Sequence, residues 1–565
     1  MNNFGFTAVI NNSSCKSGNI SYTSCLKHEN IACYAHFVDK FGEDKLFTEN
    51  DSYLLLLDGV ILNKKQLVKN HVGGLFAYLT VCYEEKGDVF FNELRGSFCG
   101  VLIDKKKERY VLFTDHIGSK FLYYTMLGHG LGCSTMISNL YELRHTNQWK
   151  CTLSEPGAIM LLTYGFMLEN YTICEEVKKV QPGCYVIFEA EKVTECRYCM
   201  LDNTPDYTLS EQDAIELCDK EFRHAVALQF EKDREYGYKH LVALSGGLDC
   251  RMTSWVAHEM GYKEQLNVTF SQSNYLDETV PKQMAADMCH EWLFKALDNG
   301  LWLYNLDDII RITGGNVLYY GLAHGYSLTK YLNFDSFGLF HSGMLGDVII
   351  GTRIRNNQEA FRLGEGAYSV KYINYLNSIK FAEYTNAEIG LFYSRFFNGT
   401  NNGQLGIMPF TETCGPHMDW DTMNAIMKIP SFMRYNHNLY KKWILSKYPE
   451  AANYTWESIN AKLTDPTITI AGRMRSLKQW SDILMKRLHL KSSDMDTAAH
   501  MNPIGYYLNT NSALKNFIEQ NLSGVNEFRN STIRNIILSI IKDGTPIEKI
   551  QALTLVRSVN LLGLE

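Results

Sequence analysis

Leu241-Val-Ala-Leu244 is a run of four apolar residues that predicts a buried parallel strand. Ser245, Gly246 and Gly247 interrupt it without bulk, and beyond Asp249 the apolar positions Met252, Trp255, Val256 and Met260 fall at helical spacing. A second short strand, Asn267-Val-Thr-Phe-Ser271, comes next. It leads into a helix whose first turn carries Asp277 and Glu278 and whose apolar positions are Val280, Met284 and Met288. Strand, helix, strand, helix predicts a doubly wound parallel sheet, which takes ligands at the carboxyl ends of its strands. A third apolar run, from Phe337, stops at the glycines of His341-Ser-Gly-Met-Leu-Gly-Asp-Val-Ile-Ile-Gly351 and presents Asp347 in the same way.

The first 200 residues carry a different pattern. Short apolar or alternating runs at 4–10, 53–57, 98–103, 110–113 and 184–188 predict strands, and 73–84 and 155–162 predict helices. That combination predicts a strand-rich α+β domain. Polar residues at 201–215 read as a linker and the Asn-rich stretch at 398–403 as an exposed loop. Met423, Ile426, Met427, Tyr440, Trp443 and Ile444 mark a helical region, and Ile533, Ile536, Ile537, Ile540 and Ile541 a narrow stripe suited to packing. The expected division is 1–200, a linker at 201–215, a nucleotide-binding unit at 216–520 and a helical segment at 521–565.

Composition narrows the function classes. A net charge of −7 disfavours a nucleic-acid or membrane-surface binder. No window approaches the roughly 18 uninterrupted apolar residues of a membrane helix, and the chain opens without a basic–apolar leader, so a cytoplasmic location is expected. The pair Cys196-Arg-Tyr-Cys199 has no second pair to complete a zinc site, and the sixteen histidines include no His-x-x-x-His spacing.

A strand that turns over glycines into a helix N-terminus is an anion site, because free N–H groups and the helix dipole face the ligand. The turn lacks the Gly-Lys-Ser/Thr of a Walker loop and the third glycine of a dinucleotide fingerprint. Ser245-Gly-Gly-Leu-Asp249 instead resembles the pyrophosphate loop of ATP-dependent synthetases. Leu57-Asp-Gly-Val-Ile-Leu-Asn63, Leu94-Arg-Gly-Ser-Phe98, the phrase from Thr114 to Tyr124 and Val180-Gln-Pro-Gly183 occur in the order of a glutamine-amidotransferase domain. Together these motifs resemble the asparagine synthetase family from about residue 4 to 460.

The resemblance implies an Ntn-hydrolase-like sandwich followed by an α/β PP-loop domain with added helices. It implies ATP and Mg2+ as cofactors, with Leu244, Ser245, Gly246, Gly247, Thr269, Phe270, Ser271 and Gly346 around the nucleotide and Asp249 and Asp347 at the metal. It also implies a lysine that stabilises the adenylate, for which Lys462 and Lys478 stand as candidates.

Several positions depart from the family. Phe4 stands where the family has its cysteine nucleophile, and Met1, Asn2 and Asn3 precede it. Asp58 replaces an asparagine of the oxyanion hole, where a carboxylate would repel the developing charge. Met344 and Val348 replace glutamates near the bound aspartate, which would leave an α-ammonium unpaired. The expected activity is therefore carboxylate adenylation on a small-molecule or peptide acid, followed by capture by ammonia or a substrate amine without glutaminase, as in β-lactam synthetases and lasso-peptide cyclases. The alternatives are ammonia-fed asparagine synthesis and a non-catalytic scaffold.

Overall fold

The computed structural model describes residues 4–12, 14–28, 30–69, 71–356, 359–470, 473–488 and 496–565. In the N-terminal domain the central strands Gly5–Ile10, Tyr53–Ile61 and Gly96–Asp104 are buried almost throughout, so both faces of each must be covered. Two six-stranded sheets supply one cover. Phe6, Ala8 and Ile10 meet Leu54, Leu56, Val101 and Ile103 between them. Helices supply the other cover. Gly74–Lys86 lies on Leu55, Leu57 and Leu102, while Ile137–Thr146 and Glu155–Tyr164 lie against Val9 and Tyr34. The pairings given for the strands of these sheets are antiparallel.

The second domain opens with α1 (Glu211–Glu235), capped by a reciprocal Ser210–Asp213 box. The stretch 201–215 read as a linker thus becomes helical at Glu211, because Ser210 supplies the acceptor that a helix start needs. Five parallel strands follow: β1 (Lys239–Ala243), β2 (Gln265–Ser271), β3 (Glu291–Ala296), β4 (Phe337–His341) and β5 (Thr413–Cys414). Their order is β3-β2-β1-β4-β5. Leu241 pairs with Leu266 on one side and Phe340 on the other, so β1 and β4 flank the point where the winding reverses. Asp233 fixes α1 to this sheet by accepting from the rings of His240 (2.8 Å) and His341 (2.7 Å) and from Leu339 N (2.7 Å).

The Asn-rich stretch is not an exposed loop. Asn398, Asn401 and Asn402 are buried, and Asn401 Nδ2 donates to Ile117 O of the N-terminal domain at 3.0 Å. Short amide side chains here satisfy carbonyls that the domain contact would otherwise orphan. A buried charge cluster crosses the same contact. Lys120 Nζ lies 2.6 Å from Asp58 and 3.0 Å from Glu412, and Lys45 Nζ lies 2.9 Å from Glu412.

The C-terminal helices Ser531–Asp543 and Pro546–Leu562 pack back onto the N-terminal domain. Gln551 Nε2 donates to Leu161 O at 3.0 Å, and Ile533, Ile536, Ile537 and Ile540 are buried. Among the described residues no helix is long and apolar enough to cross a membrane.

Candidate functional site

The helix α2 (Leu248–Glu259) starts directly after the β1 turn and places Asp249 in its first turn. The turn after β4 enters α3 (Gly346–Ile349), with Leu345 held at φ 74 and Asp347 following. A Cβ on Gly343 would lie 2.3 Å from Cys250 N, and one on Gly346 would lie 2.6 Å from Asp249 Cγ. Only glycine lets the two strand ends approach this closely. Asp347 N donates to Asp249 Oδ2 at 3.0 Å, so the two sequence-predicted aspartates meet at one point.

Asp249 is half-buried at the cavity wall, and Tyr440 Oη donates to its Oδ1 at 3.1 Å. Burial first, and then the Asp347 charge, push its carboxyl well above the usual carboxylate range. Among the described residues no lysine or arginine forms an ion pair with either carboxylate. Two converging acids with no lysine or arginine partner are a donor set that fits Mg2+, which takes a few carboxylates plus phosphate and water oxygens.

Ser245, Gly247, Asp249 and Asp347 line a cavity of about 760 Å3 with Arg353, Asn436, His437, Trp456 and Arg475. Asn436 and His437 both adopt left-handed backbone conformations, at φ 54 and φ 61. Consecutive non-glycine residues there are strained, a feature that clusters at functional sites. Sequence reasoning missed Arg353, Asn436, His437, Trp456 and Arg475 altogether, and read Tyr440 only as an apolar-face position of a helix.

The predicted nucleotide residues divide in two groups. Ser245 and Gly247 face the cavity, and Gly247 N donates to Ser245 Oγ at 3.3 Å. Gly246 N instead donates to Asp277 Oδ1 at 2.8 Å, and Gly246 O accepts from the buried Arg251 at 3.0 Å. Leu244 is buried, its carbonyl accepting from Thr269 Oγ1 at 2.8 Å. On β2 the Phe270 ring lies 4.8 Å from His324, and the buried Ser271 hydroxyl has no hydrogen-bond partner among the described residues. Ser271 is fully buried, and neither it nor Thr269 nor Phe270 lines the cavity. Lys462 is exposed outside the cavity, and the Lys478 side chain lies outside the described residues.

Burial and the nearby Glu457 push Asp277 up to about 6, against the lowering effect of the Gly246 N–H. A carboxyl raised on folding gives stability that is full below its unfolded value and is lost as pH rises through its folded value. Asp277→Asn should therefore gain stability relative to the parent chain as pH rises from about 4 to 7. Melting curves of the two proteins across that range check this.

At the position that the sequence resemblance assigns to the cysteine nucleophile, Phe4 is buried in the apolar core, and Met1, Asn2 and Asn3 lie outside the described residues. Asp58 is held by Lys120 at 2.6 Å, so its charge serves an ion pair within the fold. Burial alone would lower the Lys120 ammonium, but Asp58 and Glu412 outweigh it and keep the group protonated.

A family model described as a glutamine amidotransferase domain matches residues 25–199. Asparagine synthetase [glutamine-hydrolyzing] 2 of Bacillus subtilis (strain 168) is 26% identical over 296 residues, covering 48% of this chain and 37% of that protein. Asparagine synthetase [glutamine-hydrolyzing] 1 of Lotus japonicus is 34% identical over 124 residues, covering 20% of this chain and 21% of that one. The matches thus span well under half of these relatives' lengths. A solved glutamine phosphoribosylpyrophosphate amidotransferase from B. subtilis, complexed with ADP and GMP, covers 52% of this chain and 85% of its own at 9% identity. Its TM-score of 0.25 is too low to argue from.

Proposed function

The chain is a relative of the asparagine synthetases, and on that premise we propose an ATP-dependent, AMP-forming amide ligase that uses no glutaminase of its own. In this reading the N-terminal domain keeps an Ntn-hydrolase-like frame and the parallel sheet is a PP-loop domain. The observation that carries the reading is the meeting of Asp249 and Asp347, from two strand ends, at the wall of one large cavity.

The substrate carboxylate attacks the α-phosphorus of ATP. Its oxygen forms the new P–O bond as the bond to the bridging oxygen breaks, and pyrophosphate leaves with that electron pair. An amine then attacks the acyl carbon, loses its proton to solvent and releases AMP. Ser245 and Gly247 offer the departing phosphates hydroxyl and N–H donors at the positive end of α2. Asp249 and Asp347 would hold Mg2+, which when bound neutralises phosphate charge. Tyr440 fixes the rotamer of Asp249.

Met344 and Val348 pack partly buried against the domain core, so the side chains at the positions of the family's glutamates offer no charge to an α-ammonium. That supports an acid other than free aspartate. A second reading is asparagine synthesis, fed here by ammonia; similarity to an asparagine synthetase of B. subtilis over 48% of the chain favours the asparagine product. Pyrophosphate release with MgATP discriminates, run with aspartate plus ammonia, aspartate plus glutamine, and pooled metabolites. Aspartate dependence would establish the second reading, and glutamine-driven turnover would refute the lack of a glutaminase. Absence of MgATP binding by calorimetry would refute ligase activity of either kind.

A further inference from the structure

Arg251 lies in the first turns of α2, two residues after Asp249, and its side chain is completely buried. A buried guanidinium is costly unless its donors are matched, and the usual match is a carboxylate. Here the hydrogen-bond partners among the described residues are all backbone carbonyls. Nη1 donates to Ala451 O and Tyr454 O, both at 3.1 Å. Nη2 donates to Thr455 O at 2.7 Å and to Gly246 O at 3.0 Å. Burial pulls the group down to about 10, which still leaves it charged at neutral pH.

Those carbonyls belong to two parts of the site. Gly246 O is in the turn after β1, and the other three precede Trp456, Ser458 and Ile459 on the cavity wall. Glu457 N, from that same wall segment, donates to Gly246 O at 3.1 Å. Neither Arg251 nor Glu457 lines the cavity, so both donors grip the carbonyl from outside it. The peptide unit from Gly246 to Gly247 is trans and planar, so its C=O and N–H point in opposite directions. Holding Gly246 O from outside therefore turns Gly247 N–H inward, where it meets Ser245 Oγ at 3.3 Å on the cavity side. Two glycines in succession offer no side chain to resist a peptide flip, so the orientation has to come from such partners. Asp277 holds the preceding N–H, that of Gly246, at 2.8 Å in the same manner.

We propose that Arg251 is a positioning residue of the nucleotide site: it locks the peptide between Gly246 and Gly247 with its N–H aimed at the β- and γ-phosphates of ATP, and it ties that turn to the cavity wall at 456–459. The inference rests on the ligase reading and deepens it. Arg251 touches no substrate atom and acts through Gly246 O. A preorganised N–H spends nothing on reorientation when the phosphates arrive, whereas a turn free to flip would present a carbonyl to them in part of its population. Repulsion between that carbonyl and phosphate oxygens is what the buried cation removes.

The test measures MgATP and AMP binding to the full chain by calorimetry. AMP carries the α-phosphate alone, so the preference for MgATP over AMP reports the grip on the outer phosphates. Arg251→Met should cut that preference at least about tenfold and leave AMP binding within about twofold of the parent. A proportional loss for both ligands would mean a role in folding alone and overturns the proposal, as does an unchanged preference. Where Arg251→Met does not melt cooperatively, Glu457→Pro set against Glu457→Ala decides. Proline deletes the other N–H to Gly246 O at the first position of the turn Glu457–Ile459, a place that tolerates its ring. It should lower the preference relative to alanine, and equal preferences overturn the proposal. A parent that binds no MgATP sinks the ligase reading, whereas MgATP binding kept in full by the variants sinks only the role of Arg251.

Discussion

Asp249→Asn is expected to slow pyrophosphate release at least about a hundredfold. Without nucleotide it should melt no lower than the parent chain. Both effects come from the same charge. Asp249 lies half-buried beside Asp347, and desolvation followed by that neighbour's charge lifts its carboxyl well above its usual range. A neutral amide of the same shape removes the repulsion and can still accept the Asp347 N–H at Oδ1. It gives Mg2+ no anionic oxygen, however, and the cation then has one protein carboxylate in place of two. Thermal shift provides a second readout. Ligand at a hundred times its Kd adds about 2.7 kcal/mol to the parent's stability, and the variant should lose most of that increment. A variant that melts lower without ligand and keeps the MgATP shift would mean that Asp249 is a structural group.

The parallel sheet was legible because its signals are local. Apolar runs stop at glycines, polar residues follow, and helical spacing resumes within a few positions. The two aspartates were legible for the same reason, each lying a short step beyond its strand. The rest of the cavity was not. Tyr440 shares helical spacing with Trp443 and Ile444, so its ring reads as core, and the ring is indeed buried. Nothing local says that its hydroxyl reaches a carboxylate far away in sequence. Arg353 and Arg475 carry no local signal in the sequence, and only the fold brings them to one cavity. The strand read at 53–57 runs on to Ile61 because Lys120 neutralises Asp58, a partner that apolar periodicity cannot register. The buried asparagines at 398–402 misled for a related reason. Composition marks a loop, and only the opposing domain turns it into an interior.

Lys120→Met should destabilise the chain by about 3–5 kcal/mol, because it removes one partner from a buried ion cluster and leaves an uncompensated charge. Lys45, Lys120, Asp58 and Glu412 are each at most 2% exposed at the side chain, and their formal charges cancel. Taking Lys120 away leaves two carboxylates facing Lys45 alone, at 2.9 Å from Glu412 but 3.9 Å from Asp58. Adding Asp58→Asn restores neutrality and keeps the Lys45–Glu412 pair intact. The double variant should therefore recover most of the loss, although it carries more changes. Urea unfolding of the parent, both single variants and the double variant closes the cycle, followed by tryptophan fluorescence. Additive losses would mean that the four groups do not act as one neutral unit. A large coupling would show that Asp58, at a position the resemblance assigns to an oxyanion hole, acts as a structural charge at the contact between the two domains.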